Sequence, residues 1–337
     1  MATPKPEREV PASAVTPEPA ATEEPMVTPA IATEVAVVEL ALTGPASERR
    51  AELSGLAWYG DTLVLLPQYP DLYDGVFALS KADILANLDS RSSEPLTPMQ
   101  IPLLAPGLVA LPGYEGTEAI GFHGSNVYVT VEARLGSGML GYLIRGDAAP
   151  DLSQLRLDVA SAVSIEPQAR IGNFSDETLV VGDNLVATVY EANGANVNPQ
   201  PAAHLFDSGL QDRGTLVFPN VEYRVTDATA LDDRDRFWAI NFFFPGDVNK
   251  IDPAPDPLVI RYGEGYSHGR NIAVERLLEF EVADDGIALV ERPPLQLQLL
   301  GDMSARNWEG IVRLDDRGFL LVTDTYPRTM LGFVPWP

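Results

Sequence analysis

The chain has 337 residues and a formal net charge of −25 at pH 7. So acidic a composition argues against binding to nucleic acid or to an anionic membrane, and it favours solubility and the attraction of cations. The sequence contains no cysteine, which excludes disulfides and thiolate metal sites, and it has no apolar run long enough to span a bilayer.

Residues 1–33 are rich in Pro, Ala, Thr and Glu and carry almost no large apolar side chains. Such a segment cannot bury enough surface to offset its ordering entropy, so it predicts a disordered tether. We interpret it as the spacer of an exported or lipid-anchored bacterial protein whose leader has been removed, which predicts an extracytoplasmic location. Residues 34–337 are predicted to form one domain.

Five later segments share one pattern, in which an apolar strand opens on a polar residue, turns at Gly, Asp or Asn, and returns as a second strand. This is the sequence form of a β-hairpin. The hairpins are Ser54–Gln68, Glu118–Glu132, Glu177–Glu191, Asp227–Asn241 and Glu309–Asp324. Each interval between them has room for two further strands.

Four strands per repeat, repeated radially, predict an all-β chain folded as a β-propeller. Five hairpins favour five blades, and the long interval between Asp227 and Glu309 leaves six blades as the alternative. The last repeat lacks a fourth strand, and the apolar segment Val35–Leu42 can supply it. We therefore predict that this N-terminal strand closes the last blade and removes an open sheet edge.

The residues that head the hairpins are expected to converge on one face, because the first strand of each blade lines the axis of a propeller. They are Ser54, Glu118, Glu177, Asp227 and Glu309. Carboxylates this close repel one another unless they are protonated or share a cation, and hard oxygen ligands suit Ca²⁺. We predict a Ca²⁺ site formed by these five residues; the alternative is a set of solvated acids that satisfy nearby backbone N–H groups.

The ends of the second strands should lie on the same face, since the two strands of each hairpin are antiparallel. This second set is Gln68, Glu132, Arg134, Glu191, Asn193, Asn241, Asp324 and Arg328. The long insert Pro245–Ile272 follows the fourth hairpin, so we expect it beside the acidic residues as a lid or substrate wall, or else as a surface excursion. The catalytic candidates are Asp324, Arg328, Arg134 and His268, the last being the acid–base candidate among three histidines.

The five hairpin heads resemble the calcium-activated nucleotidase (apyrase) family, and Asn307–Ile311 with Val322–Thr325 resembles the phytase-like esterase propellers of bacteria. The first resemblance implies five blades around a Ca²⁺ held by serine and glutamate side chains. Asp227 stands where that family has a serine. The Asp-Arg pair expected after the first hairpin is replaced by Gln68–Asp74, which contains no arginine. Phosphoryl transfer relies on cationic stabilisation, so this departure weakens the expectation of nucleotide hydrolysis.

Two functions are compatible with these features. One is a calcium-dependent hydrolase of a phosphate or carboxylate ester, acting on a small-molecule substrate. The other is a non-enzymatic binding or scaffold propeller whose ion is structural. The excess of acid favours the second, and the arginines of the insert favour the first, so the sequence leaves open whether the protein is an enzyme. We expect a monomer with no nucleic-acid partner.

Overall fold

A computed structural model describes Met1 and residues 32–183, 185–302 and 304–337. The predicted tether, residues 1–33, lies almost wholly outside the described residues. At its end, Ala32 forms a parallel β-bridge with Gly265. None of the helices in the described part of the chain has both the length and the apolar character needed to cross a membrane.

The described chain is an all-β protein that begins with two short strands, β1 (Glu34–Val35) and β2 (Val38–Leu40). A first sheet contains the strands β3 (Leu53–Tyr59), β4 (Thr62–Pro67), β5 (Gly75–Ser80), β6 (Met99–Leu104), β7 (Tyr114–His123), β8 (Asn126–Leu135), β9 (Gly138–Ala148), β10 (Leu155–Leu157) and β11 (Val163–Ile165). Helix α1 (Lys81–Ser90) connects β5 to β6 and begins where the Ser80 hydroxyl accepts from the amide of Asp83.

A second sheet contains β1 together with the strands β12 (Asp176–Val181), β13 (Val186–Tyr190), β14 (Ala202–Phe206), β15 (Asp212–Val217), β16 (Arg224–Ala228), β17 (Arg236–Phe243), β18 (Val274–Ala283), β19 (Gly286–Leu289) and β20 (Leu295–Leu297). The insert after β17 contains two short helices, α2 (Val248–Ile251) and α3 (Pro257–Tyr262). A third sheet joins β2 to β21 (Trp308–Leu314), β22 (Gly318–Thr323) and β23 (Leu331–Pro335).

All five predicted hairpins are present as antiparallel strand pairs: β3 with β4, β7 with β8, β12 with β13, β16 with β17, and β21 with β22. Helix α1 was not predicted, because its ten residues carry only a weak apolar stripe and just one fully buried side chain, Ile84.

The predicted N-terminal strand, Val35–Leu42, is divided between two sheets. Strand β2 pairs antiparallel with β23, with Val38 opposite Phe333, and so completes the sheet of the last hairpin as predicted. Strand β1 instead pairs in parallel with β20, with Val35 opposite Leu297. The N-terminal segment therefore covers one edge and also joins two sheets.

The first strands of the five hairpins form a closed ring, in which β3, β7, β12, β16 and β21 are successive neighbours and β21 packs against β3. Small residues permit this close approach. A Cβ atom on Gly55 would lie 3.1 Å from the Cα of Ala119, and one on Gly310 would lie 3.0 Å from the carbonyl carbon of Gly55. At the turn end of the ring, all five strands line a cavity of about 210 Å³ around the axis.

Candidate functional site

Each of the five predicted ligand residues lies at a β-bulge in its own hairpin. The register shifts occur at Leu53/Gly55, Thr117/Ile120, Asp176/Thr178, Val225/Ala228 and Trp308/Gly310. A bulge leaves a residue unpaired and redirects its side chain, and bulges are frequent beside active sites. The same irregularity therefore recurs at the equivalent point of every hairpin, at the end of the ring opposite the apolar cavity.

Side chains from several hairpins meet there in what we call the acidic cluster. It consists of Arg224 and six carboxyl groups, those of Glu118, Glu132, Glu177, Glu191, Glu309 and Asp324. Arg224 Nη2 lies 3.7 Å from Glu177 Oε2 and 3.6 Å from Glu309 Oε1, while its Nε donates to Glu191. Three of the five predicted ligands, Glu118, Glu177 and Glu309, are thus brought together.

The other two predicted ligands use their polar atoms to connect neighbouring first strands. Ser54 Oγ donates to the carbonyl oxygen of Thr117, at 2.7 Å. Asp227 Oδ2 accepts from the amide of Ile311, at 3.0 Å. Asp227 therefore accepts from a backbone N–H group, as the alternative expected, but it is buried and not solvated, and burial raises its pKa well above the usual range.

Burial dominates the electrostatics of the cluster. It raises the pKa of Glu118 well above its usual range, with repulsion from Glu177, Glu132 and Glu309 adding to the effect. Burial also raises the pKa of Glu309 and that of Glu132 to about 7, although Arg224 opposes the shift in both. These carboxyl groups therefore hold protons at pH values where exposed glutamates are ionised.

Arg224 is the member of the acidic cluster that the sequence did not single out. It opens β16, three residues before the predicted ligand Asp227, and 13 % of its side chain is exposed. Burial opposes its charge, but Glu309 and Glu177 raise its pKa above the usual value. Its guanidinium also lies 5.4 Å from the ring centre of Phe174. The sequence signal that could have identified Arg224 is a basic residue shortly before an acidic hairpin head.

The catalytic candidates from the second strands divide into two groups. Asp324 belongs to the acidic cluster: its Oδ2 accepts from the side-chain amide of Asn307 at 3.1 Å. The two arginines are already paired with carboxylates outside the cluster. Arg134 donates to both oxygens of Glu115 at 2.8 and 2.9 Å, and Arg328 donates to Glu39 at 2.5 Å.

His268 lies in the insert and both its ring nitrogens have partners. Its Nδ1 is 2.8 Å from Glu34 Oε1, and its Nε2 accepts from the amide of Glu275 at 3.1 Å. Burial lowers the pKa of His268, although the hydrogen bond to Glu34 opposes this shift. In this arrangement the neutral imidazole connects the insert to β1 and β18. The general acid–base role of His268 stays a prediction.

The insert reaches the acidic cluster at one point. Lys250 forms an ion pair with Asp247 at 2.9 Å, and its Nζ lies 5.6 Å from the ring centre of Phe174, which also contacts Arg224. Asp247 contributes to the raised pKa of Arg224. The predicted position of the insert beside the acidic residues is therefore observed at its start.

The donor chemistry of the cluster suits Ca²⁺, which binds carboxylate oxygens. Three buried oxygens, Glu132 Oε1, Glu191 Oε2 and Asp324 Oδ1, have no hydrogen-bond partner among the described residues. Yet within the described ranges no group of three or more Asp, Glu or His side chains is already gathered as a metal site. Arg224 lies between Glu177 and Glu309, so these glutamates would have to turn towards a bound ion.

No family model matches the chain, and no curated protein sequence matches it significantly. Among solved structures, an exo-1,5-α-L-arabinanase from a bovine ruminal metagenomic library aligns over 84 % of this chain and 92 % of its own, with 10 % identity and a TM-score of 0.46. A GH32 β-fructofuranosidase from Bombyx mori, in complex with sucrose, covers 86 % of this chain and 62 % of its own, with 12 % identity and a TM-score of 0.45.

A mannose phosphorylase from Leishmania mexicana, in complex with phosphate ion, covers 90 % of this chain and 88 % of its own, with 12 % identity and a TM-score of 0.43. These three are carbohydrate-active enzymes, not nucleotidases or phytase-like esterases. At such identities and TM-scores they assign neither a family nor an activity to this chain.

Proposed function

We propose that the chain is a five-bladed β-propeller that hydrolyses a small ester at its acidic cluster, with Ca²⁺ as the cation. The closed ring of five first strands supports the architecture. Strands β18 and β19 extend the sheet of the fourth hairpin outward from β17, which supports five blades over six. The blade count and the activity are both part of the proposal.

One observation supports this function most directly: six carboxyl groups share the cluster with one guanidinium, which pairs with three of them, and three of the six have a buried oxygen without a partner among the described residues. Buried carboxylates in such excess require protons or a further cation. Glu118, Glu177 and Glu309, with the Ser54 hydroxyl, would hold Ca²⁺ on the axis. When bound, the ion would supply Lewis-acid polarisation of an ester carbonyl.

The remaining carboxyl groups of the cluster would accept and donate the proton during ester hydrolysis. Glu132, whose pKa is raised to about 7, changes protonation state near neutral pH, which suits a general acid or base. A neutral ester fits the cluster better than a phosphoester. The carboxylates repel an anion, and the arginines expected to bind phosphate, Arg134 and Arg328, are paired with Glu115 and Glu39.

A binding or scaffold propeller is the second candidate, and the position of Arg224 favours it. Arg224 itself belongs to the fourth hairpin. Its guanidinium pairs with Glu177 and Glu191 of the third hairpin and with Glu309 of the fifth, and so connects three hairpins, as a structural ion would. In that case the ion pairs of the cluster would serve only to stabilise the ring of first strands.

Two measurements on the full chain separate these candidates. Thermal unfolding with Ca²⁺ and with EDTA tests the ion, and we expect a higher Tm with Ca²⁺; equal values would remove the Ca²⁺ proposal. Hydrolysis of p-nitrophenyl acetate and p-nitrophenyl phosphate tests the chemistry. We expect acetate turnover that falls at least about 100-fold in Glu118→Gln, because a weakened Ca²⁺ site loses the several kcal/mol that Lewis-acid polarisation contributes. The control Asp233→Asn changes an exposed turn at the other end of the ring. Turnover that persists in Glu118→Gln would move the active site elsewhere.

The composition of residues 1–33 supports a further part of the proposal, that the protein is exported and acts outside the cytoplasm. We also propose that it is a monomer. Fractionation of the producing bacterium tests the location. Light scattering on the purified chain tests the monomer, and a dimer mass would contradict it.

A further inference from the structure

We propose that Gln68 is a positioning residue of the acidic cluster, which orients the carboxyl group of Glu118 for the binding of Ca²⁺. This role rests on the calcium site proposed above and adds to it a residue of the first hairpin. Gln68 directly follows β4, at the end of the ring where the bulges lie, and Glu118 belongs to β7 of the second hairpin. The contact between the two side chains therefore connects neighbouring hairpins.

The contact is a hydrogen bond from the side-chain amide of Gln68, whose Nε2 donates to Glu118 Oε1 at 3.2 Å. Four other carboxyl groups of the cluster are held by Arg224 or by Asn307. Among the described residues, the partner of the Glu118 carboxyl group is the Gln68 amide. An amide N–H can only donate, so it favours the ionised carboxylate, which is the form that binds a cation.

The backbone of Gln68 is fixed on both sides, as an orienting residue requires. Its amide donates to the carbonyl oxygen of Glu52 at 2.8 Å, and its carbonyl oxygen accepts from the amide of Thr117 at 2.9 Å. The Thr117 hydroxyl also donates to the carbonyl oxygen of Pro67, at 2.8 Å. Because Thr117 precedes Glu118 in β7, the backbone that carries the donor is bonded directly to the strand that carries the acceptor.

Gly116 leaves the space in which the Gln68 side chain lies. A Cβ atom on Gly116 would be 2.4 Å from Gln68 Cγ and 3.0 Å from Gln68 Nε2, so even alanine at this position would displace the amide from Glu118. Gly116 also pairs across its hairpin with Glu132, another member of the cluster. Substitution of this glycine therefore moves the donor without removing it, which gives a second and independent test of the hydrogen bond.

Residues that hydrogen-bond a metal ligand typically change metal affinity by about 10–100-fold when they are replaced. We expect Gln68→Leu to weaken Ca²⁺ binding to the full chain by about this factor in isothermal titration calorimetry, and Gly116→Ala to weaken it at least about threefold.

Each variant has a matched control that should keep the wild-type Ca²⁺ affinity. Gln100→Leu removes an amide that donates to a backbone carbonyl from β6, an outer strand of the first sheet. Gly121→Ala lies in the same strand as Gly116, at the turn end of the ring, and its Cβ would be 2.6 Å from Val181 Cγ2. Thermal unfolding in EDTA shows whether each variant is folded.

Combining Gln68→Leu with Glu118→Gln tests whether Gln68 acts through Glu118. If it does, the two losses of Ca²⁺ affinity should not multiply, because the second substitution removes a contact that the first has already broken. A merely structural role would lower the Tm in EDTA and leave the Ca²⁺ affinity unchanged. Wild-type affinity in Gln68→Leu, or losses that multiply in the double variant, would overturn the role of Gln68 alone. Absence of Ca²⁺ binding to the wild type would overturn the calcium site and this role together.

Discussion

Replacing Glu309 by Gln removes one ionisable group of the acidic cluster at nearly constant size. In the folded chain, burial raises the pKa of Glu309 to about 7, whereas its ordinary value is 4.5. The folded protein therefore keeps this proton at pH values where the unfolded chain has lost it. By linkage, the stability contributed by the protonated group is full below about pH 4.5 and is lost as pH rises through about 7.

The size of this loss follows from the two pKa values. One pKa unit corresponds to about 1.4 kcal/mol, so a shift from 4.5 to about 7 is worth about 3 kcal/mol. Glu309→Gln lacks this term. It also removes a charge that helps to raise the pKa of Glu118, which shifts the pH dependence in the same direction. We expect the wild type to lose about 3 kcal/mol more than the variant between pH 4.5 and 8.5.

Urea unfolding in EDTA at several pH values measures this difference, with the free energy of unfolding extrapolated to water. Asp233→Asn, in an exposed turn, should follow the wild-type curve. Addition of Ca²⁺ should stabilise the wild type more at pH 8 than at pH 5, because a cation binds the ionised carboxylates. Parallel curves for the wild type and Glu309→Gln would refute the reasoning, since they would mean that Glu309 titrates alike in the folded and unfolded chains.

Three further substitutions test the ring and the cluster, each by urea unfolding. Arg224→Met leaves three glutamates without their cation and should lower the free energy of unfolding by about 3–5 kcal/mol in EDTA; a loss below about 1 kcal/mol would contradict the assigned ion pairs. Asp227→Ala leaves the buried amide of Ile311 without its acceptor and should cost about 1–3 kcal/mol, and a neutral result would show that the amide finds another partner. Gly310→Ala places a Cβ 2.7 Å from Val322 Cγ2 and should cost about 1–3 kcal/mol, whereas Gly172→Ala, with open space around it, should not; equal effects would argue against close strand packing.

The hairpins were predictable because their signals are local. Alternating apolar residues around Gly, Asp or Asn turns specify each pair of strands, and the structure forms all five. The bulges at the hairpin heads were not predictable, because a bulge depends on how one strand is displaced against its partner. These bulges decide where Glu118, Glu177 and Glu309 point.

The membership of the acidic cluster was likewise only partly predictable from the sequence. Equivalent positions in the five hairpins suggested five equal ligands, but the Ser54 hydroxyl and the Asp227 carboxylate differ from the other three in hydrogen-bonding the backbone of neighbouring strands. Arg224 enters the cluster from outside the repeated positions, so a search for equivalent residues could not select it. Likewise, Arg134 and Arg328 looked available in the sequence and are paired in the structure.

The sequence by itself determined the all-β class, the five hairpins and the acidic residues that head most of them, because these depend on patterns within about fifteen neighbouring residues. Only the tertiary structure decided which of those acids share a site, and that an arginine lies among them. It also decided that the N-terminal segment divides between β20 and β23. The physical reason is that charge, burial and strand pairing act between residues distant in the chain, and these distances are fixed only when the ring closes.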